Sequence, residues 1–514
     1  MLPAFLQPGR TRLPANVPAS RQVVDREQWA EGATALGRSG ASLLTLWGSD
    51  DRDRDGRFRV SAAFLLPEKL IVLEHLMEPA AVSYPSLAPL FPVAGRLERA
   101  VRDLLGISSE SDDQRRWLRH SSWPEGVFPL RREVTPTQQF PAGSENYPFV
   151  SVAGDGVHEI AVGPVHAGII EPGNFRFTVV GEKVLRLEER LGYTHKGVAK
   201  RFEQLSQQEG CRLAARVSGD SAIAFSWAYC AALEAITALA MPARALVLRA
   251  LALERERIAN HLGDLGALGN DAGFAFGLAQ FSRLKEDLLR ANASAFGSRY
   301  LFDFVVPGGV ASDLDLRARS ELLRQLGSLE QSLRELRAIY DDHPGLQDRF
   351  HDAGTLAPEL AQTLGAIGLA ARASGIARDL RVDQPWAPYD RLAPRMAVQL
   401  SGDVAARVQV RFDEVAESIR LCRALLEDIP EGTVRIEIPE AHPHRWGVGL
   451  IEGWRGPVMV ALEAGPGGSI RRCHAHDPSW QNWPLLEHAI LGNIVPDFPL
   501  INKSFNLSYS GQDG

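Results

Sequence analysis

Several groups of residues in this sequence have types and spacings that could do chemistry. Asp51-Arg52-Asp53-Arg54-Asp55-Gly56 has the opening of a calcium loop, but the twelfth loop position, where a bidentate glutamate should stand, is Ala62. The run therefore reads as a polar turn. His442 and His444, then His474 and His476, form two close pairs. His474 and His476 would face the same side of a strand, yet the sequence places no third ligand near them, and a metal site needs a complete set. The four cysteines, Cys211, Cys230, Cys422 and Cys473, form no CxxC pair, so neither a disulfide framework nor a thiolate metal site is indicated. Carboxylates and guanidinium groups remain: Glu171, Asp271, Arg381, Glu452 and Arg455 each sit in a distinctive local motif.

Elements that could position these groups follow from periodicity. Apolar runs at Ser42–Trp47 and Phe58–Leu66 flank the acidic turn and read as two strands, with a helix at Gly95–Leu105. Residues 1–130 thus form a small α/β domain. Residues 131–150 are rich in proline, glycine and polar side chains and read as a linker. Residues 151–514 form a second domain. It opens with a small antiparallel sheet (Glu159–Val162, Phe175–Val180 and a strand from Val184) and becomes helical from Leu185 to about Leu425. In Ala243–Gly266 the apolar positions Leu251, Ile258, Leu262 and Leu265 share one face, leaving Glu254, Glu256 and Arg257 as the polar side. Leu316–Tyr340 is a second long amphipathic helix. Strand-like runs return at Val434–Ile438 and Pro457–Leu462, and the tail from Ser504 reads as irregular. The fold class is α+β.

Composition narrows the function. A net charge of -7 on 514 residues gives no reason to expect nucleic acid as a partner. The most apolar stretch, Ala222–Leu253, is interrupted by Glu234, Pro242, Arg244 and Arg249, so it reads as buried helices and not as a membrane span. The first fourteen residues hold no apolar core long enough for a signal peptide.

Three segments carry a resemblance. One runs through Gly163-Pro164-Val165-His166, Glu171-Pro172-Gly173-Asn174-Phe175-Arg176 and Gly192-Tyr193-Thr194-His195-Lys196-Gly197; the others are Arg216–Ser221 and Ser504–Gly511. Together they resemble the large subunit of group 4 NiFe hydrogenases of the hydrogenase-4 and formate-hydrogenlyase type, and its relative in complex I, the D-type subunit. Tyr84-Pro85-Ser86-Leu87, Arg96-Leu97-Glu98-Arg99 and Pro129-Leu130-Arg131-Arg132 are similar to the C-type subunit of complex I. In the hydrogenases, RxCGxC and DPCxxC motifs supply four thiolates to nickel and iron, a soft centre that needs anionic sulfur. The matching positions here are Ser218, Ser221, Ser508 and Gly511. Ser218 or Asp220 is expected instead to cap the helix at Ala222–Ile236.

The resemblance also implies roles for the groups named above. Asp271 matches the acidic residue beside the quinone headgroup in complex I. Glu171 matches the glutamate that hydrogenases place next to the metal, and Arg381 lies in a cavity-lining segment. Glu452 and Arg455 match the hydrogenase EAPRG motif, and His166 and His195 recur in both families as cavity or hairpin residues. The quinone-binding histidine of complex I corresponds to Ile170. The implied protein is a peripheral-arm subunit of a membrane-bound oxidoreductase, NADH:quinone oxidoreductase-like, on the cytoplasmic side of a bacterial inner membrane. It binds no cofactor itself: an iron–sulfur cluster sits in a partner similar to the B-type subunit of complex I, quinone is the candidate acceptor, and antiporter-like membrane subunits complete the complex. The alternative is an inert scaffold or conformational coupler. Metal analysis of the purified protein is expected to return far less nickel than chain; stoichiometric nickel would contradict the reading.

Overall fold

The computed structural model describes residues 3–6, 12–141, 143, 146–166 and 170–514. Parts of the N-terminal stretch 1–14 and of the expected linker at 131–150 lie outside the described residues.

The N-terminal unit is a four-stranded sheet with helices. Strands β1 (Ala19–Val24), β2 (Ser42–Asp51), β3 (Arg57–Leu65) and β4 (Leu70–Met77) lie in the order β1-β4-β3-β2, with β1 parallel to β4 and the other pairs antiparallel. Helix α1 (Arg26–Arg38) starts in a capping box made by Asp25 and Gln28. Helix α2 (Ala94–Leu105) packs on β2. The acidic turn between β2 and β3 is one short helical turn, Arg52–Asp55, closed by Gly56 at φ 79°.

The second unit opens with the antiparallel sheet β5 (Val157–Val162), β6 (Asn174–Val180) and β7 (Lys183–Arg190). Its helical body contains α3 (Ala222–Thr237), α4 (Ala243–Asp271), α5 (Ala275–Phe296), α6 (Leu316–Asp342) and α7 (Val404–Glu427). A second antiparallel sheet, β8 (Trp446–Glu452), β9 (Pro457–Ala464) and β10 (Ile470–His476), lies against α3. Contact is so close that a Cβ at Gly449 would come within 1.8 Å of the Ala228 carbonyl oxygen, so only glycine fits there. Helices α8 (Ser479–Ala489), α9 (Phe498–Phe505) and α10 (Tyr509–Asp513) complete the chain.

Five expectations need correcting. Leu185–Arg190, expected to open the helical part, is still strand β7. Helix α4 is not amphipathic with a wet polar side: Glu254, Arg255 and Arg257 are all 0% exposed, because α5, α7 and β-sheet loops surround the helix, with Glu254 and Arg257 in ion pairs and Arg255 held by the amides of Asn292 and Gln325. The tail is helical rather than irregular. Val434–Ile438 is no strand; it makes only a bridge between Arg435 and Gly309. Neither Ser218 nor Asp220 caps α3; the Glu256 carboxylate does so from α4, accepting from the Ile223 and Ala224 N–H groups at 2.7 and 3.3 Å.

The two units share a continuous core. Thr45 of β2 shares a 2.9 Å hydrogen bond with His474 of β10, whose ring stacks on Trp47 at 5.0 Å. Below them Arg59 is buried against Asp51, Glu74 and Glu463 at 3.1, 3.1 and 2.8 Å. Removing the cation shared by all three leaves Asp51, Glu74 and Glu463 buried with only their outer partners Arg54, Arg21 and Arg471. Arg59→Met is therefore expected to cost about 3–5 kcal/mol, read as a lowered urea midpoint; an unchanged midpoint would show that the cluster is energetically idle.

Candidate functional site

Two loops at one end of the β8-β9-β10 sheet, the turn before α3 and the last helix meet at a single point. Glu452 pairs with Pro457 across β8 and β9, and His476 pairs with Met459 across β9 and β10. The turn holding Arg455 and the loop holding Asp477 therefore leave the sheet at the same end. Ser218 and Ser221 close the turn that leads into α3, with the Ser221 N–H donating to the Ser218 carbonyl at 3.0 Å. Ser508 is the N-cap of α10, its Oγ accepting from the Gly511 N–H at 2.9 Å.

This geometry brings all four positions matched to metal thiolates together. Ser218 Oγ and Ser508 Oγ share a hydrogen bond at 2.8 Å, and Ser218 donates to Asp220 Oδ1 at 2.9 Å. Arg455 clamps Asp220 through both oxygens at 2.7 and 2.5 Å, reaches Ser221 Oγ at 3.4 Å and donates to the Asn506 carbonyl at 2.6 Å. Burial alone would push the Asp220 carboxyl up, but the Arg455 guanidinium outweighs it and holds the group below the ordinary carboxylate value. At the fourth position a side chain has no room: a Cβ on Gly511 would lie 2.4 Å from Asp477 Oδ2. Asp477 is itself 0% exposed, and burial raises its pKa against the pull of Arg455.

A nickel–iron centre does not fit these residues. Serine hydroxyls stay protonated near neutral pH and are poor ligands for a soft metal, Gly511 offers no donor, and Asp477 fills the space beside it. Among the described residues no group of three or more His, Cys, Asp or Glu side chains converges on a metal position.

The other site residues surround this point at different distances. Glu171 is on the exposed rim, where Oε2 accepts from the Ser510 N–H at 3.0 Å. His166 packs its ring on Phe175 and Tyr509, and His195 contacts the Asp513 carbonyl through Nδ1 at 2.8 Å. Ile170 is 49% exposed at the same hairpin. Glu452 and Arg381 belong to an adjoining buried network. Arg381 pairs with Asp379 at 2.6 Å and Glu254 at 3.1 Å; Arg372 bridges Glu452 at 3.0 Å and Glu414 at 2.7 Å; Glu414 holds His261 at 2.8 Å. Burial pushes Glu452 up to about 7, whereas at Glu414 the combined pull of Arg372, His261 and Arg257 outweighs burial and keeps it well below its usual range. Asp271 stands apart: it is exposed at the end of α4, about 20 Å along the helix axis from Arg257. Partial burial raises its pKa, with Lys503 opposing.

Sequence reasoning did not find Asp477, the Asp220–Arg455 clamp or the Glu254–Arg257–Arg372–Glu414–His261 network. The one available signal was Glu254-Arg255-Glu256-Arg257, a charged run inside an otherwise apolar stretch.

Comparison with known proteins places this geometry in a family. Residues 22–140 match the model for the respiratory-chain NADH dehydrogenase 30 Kd subunit, and residues 271–446 match that for the 49 Kd subunit. Formate hydrogenlyase subunit 5 of Escherichia coli (strain K12) is 31% identical over 488 residues, 93% of this chain and 85% of the relative. The chain belongs to this family of fused complex I 30/49 kDa and hydrogenase-4-type subunits. Hydrogenase-4 component G of the same organism is also 31% identical, over 92% of this chain and 83% of the relative. The fused C/D subunit of NADH-quinone oxidoreductase from Bacteroides thetaiotaomicron is 26% identical over 81% of this chain and 84% of the relative. A chain of the membrane-bound sulfane sulfur reductase, an archaeal respiratory membrane complex, shares the fold with a TM-score of 0.66 at 22% identity, over 70% of this chain and 98% of that one.

Two predictions follow from the packing. Gly511→Ala is expected to destabilise the chain, and Asp477→Gly in the same molecule to relieve most of that loss; additive effects in a thermal double-mutant cycle would rule out the contact. Burial pushes Glu256 up to about 8, whereas in the unfolded chain it titrates near ~4.3. The folded state thus holds a proton that the unfolded state lacks between those values, and this group's contribution falls as pH rises through that window. Glu256→Gln should flatten the pH dependence of stability there; an unaltered slope would refute it.

Proposed function

We propose that this chain is a peripheral-arm subunit of a membrane-bound, complex I-like and hydrogenase-4-related oxidoreductase, and that its former metal pocket is one wall of an electron-acceptor cavity. The observation that carries the reading is the replacement of four thiolate positions by a hydrogen-bonded set, Ser218, Ser508, Asp220 and Arg455, with Asp477 filling the remaining space. This arrangement does not supply a metal. It supplies a fixed cation beside a carboxylate, which suits an acceptor that gains negative charge on reduction.

In this reading electrons arrive from an iron–sulfur cluster in a partner similar to the B-type subunit of complex I. Quinone is the first acceptor to test. Arg455 attracts the charge that develops on the acceptor, Asp220 balances Arg455 at rest, and Glu171 handles protons at the rim. Antiporter-like membrane subunits would use the reaction to move ions. Among the described residues no helix is long and apolar enough to cross a membrane, so attachment depends on those partners. The site of work is the cytoplasmic face of the bacterial inner membrane, and hydrogen is not a substrate. The names of the relatives, subunits of hydrogenases and of NADH-quinone oxidoreductases, support membership in an oxidoreductase complex.

A scaffold role is the second reading, favoured by the tight filling beneath Gly511 and by the locking of Arg381 between Asp379 and Glu254. Purifying the whole complex and screening donor and acceptor pairs, with and without Asp271→Asn, separates the two. The first reading expects turnover with an acceptor such as a quinone and, because the resemblance matches Asp271 to the acidic residue beside a quinone headgroup, a loss of about tenfold or more in the variant. Full turnover of the assembled variant would take Asp271 out of the reaction, and no turnover with any pair would favour the scaffold.

A further inference from the structure

We infer that two of the serines standing at thiolate positions, Ser508 and Ser218, form a proton path with Ser510, their three hydroxyls linking the rim at Glu171 with Asp220 beside Arg455. This rests on the proposed role of the pocket as an acceptor cavity. The spacing along the path is 3.5 Å from Ser510 Oγ to Ser508 Oγ, 2.8 Å from Ser508 to Ser218 and 2.9 Å from Ser218 to Asp220 Oδ1.

The donors are ordered in one direction. Ser218 gives its only hydroxyl hydrogen to the Asp220 carboxylate, so toward Ser508 its oxygen can only accept. Ser508 therefore donates to Ser218, while its own oxygen receives the Gly511 N–H and faces Ser510. The outer end adjoins Glu171, which holds the Ser510 backbone N–H. The two middle hydroxyls are sealed, Ser218 at 1% exposure and Ser508 at 6%. Both ends are more open: Ser510 is part-buried, and the Asp220 side chain keeps 40% exposure next to exposed Gly219. A partner subunit seated on that face would cut Asp220 off from water and leave the serine path as its connection to the rim.

Transfer along the path moves no electrons. Each serine passes its hydroxyl proton to the next oxygen and takes one from behind, so one O–H bond breaks and one forms at each position. Asp220 ends as the neutral acid, and the proton entering at Ser510 comes from water or from Glu171. A metal-bound thiolate carries no hydrogen to pass on until it is itself protonated. A hydroxyl both donates and accepts. The titratable and charged groups facing Asp220 are Arg455, Lys503 and Lys285 on the cationic side and Glu256 and Asp477 on the acidic side, Glu256 holding its proton up to about pH 8. If the serines merely filled space, alanine would serve as well as threonine.

The test compares Ser218→Ala with Ser218→Thr in the assembled complex, using the donor and acceptor pair that supports turnover. The alanine variant is expected to lose about tenfold or more in kcat, with KM for the acceptor unchanged and a larger solvent deuterium isotope effect. Threonine should restore most of the rate. A wild-type rate and isotope effect in Ser218→Ala, or equal impairment by threonine, would overturn the path. A second measurement needs no turnover and so separates this idea from the proposed function. In the assembled complex carrying Arg455→Gln, which removes the counter-ion of Asp220, the infrared carboxyl band that Asp220→Asn abolishes reports the proton on Asp220. On transfer to D2O that band is expected to shift about tenfold or more slowly once Ser218→Ala is added; equal rates would sink the path even if the complex reduces no acceptor.

Discussion

A guanidinium held among serines, out of reach of bulk water, has to be neutralised, and the two-pronged contact of Arg455 with Asp220 does this. The rest of the pocket is arranged around that pair. Asp220 orients Ser218, Ser218 meets Ser508, and Ser508 begins the last helix. Asp477 adds a second acidic group within reach of the same cation, and its position dictates glycine at 511. Where the relatives' resemblance implies a metal held by anionic sulfur, this chain has an internal cation held by oxygen.

Charges this deep are costly to bury unless each is paired and hydrogen-bonded. The chain meets that requirement for most of α4, with Arg255 the exception, held by the amides of Asn292 and Gln325 instead of a carboxylate. Arg249 pairs with Glu234, Arg257 donates to the Glu452 and Gly453 carbonyls, and His261 shares Glu414 with Arg372. Farther along, Asp264 takes Arg411 and Asn506, and Asn506 returns to Arg455 through its carbonyl. The pocket and the ion-pair network are thus tied by a few short contacts. Among the carboxylates, a change of charge at Arg455 acts most on Asp220, then on Asp477 and Asp264. Asp271 lies beyond that run, on the exposed end of α4, and senses Lys503 in common with Asp264.

Much of the fold was legible because it rests on local pattern. Ser42–Trp47 and Phe58–Leu66 are apolar runs on either side of a polar turn, and Gly95–Leu105 and Leu316–Tyr340 repeat with helical spacing; each became an element within a few residues of its expected ends. Helix α4 misled because its charges are matched by residues more than a hundred positions away, such as Arg381 and Glu414, which no local period reveals. The tail misled because α10 is too short to be favoured by its own residues and is held by the Ser508 cap and by contacts of Asp513 with Gly192 and Thr194. For the site, the resemblance located the serines, Gly511, Glu171 and Arg455 at one point. Asp477 was invisible because nothing in His476-Asp477-Pro478 signals that the carboxylate turns inward beneath residue 511.

On the proposed reading the pocket is an oxygen-lined working site organised by Arg455 and not a collapsed remnant. Donor-driven reduction of the acceptor by the assembled complex carrying Arg455→Gln tests this most directly. A working site predicts that assembly survives while turnover falls by about tenfold or more. Wild-type turnover in that variant would contradict it.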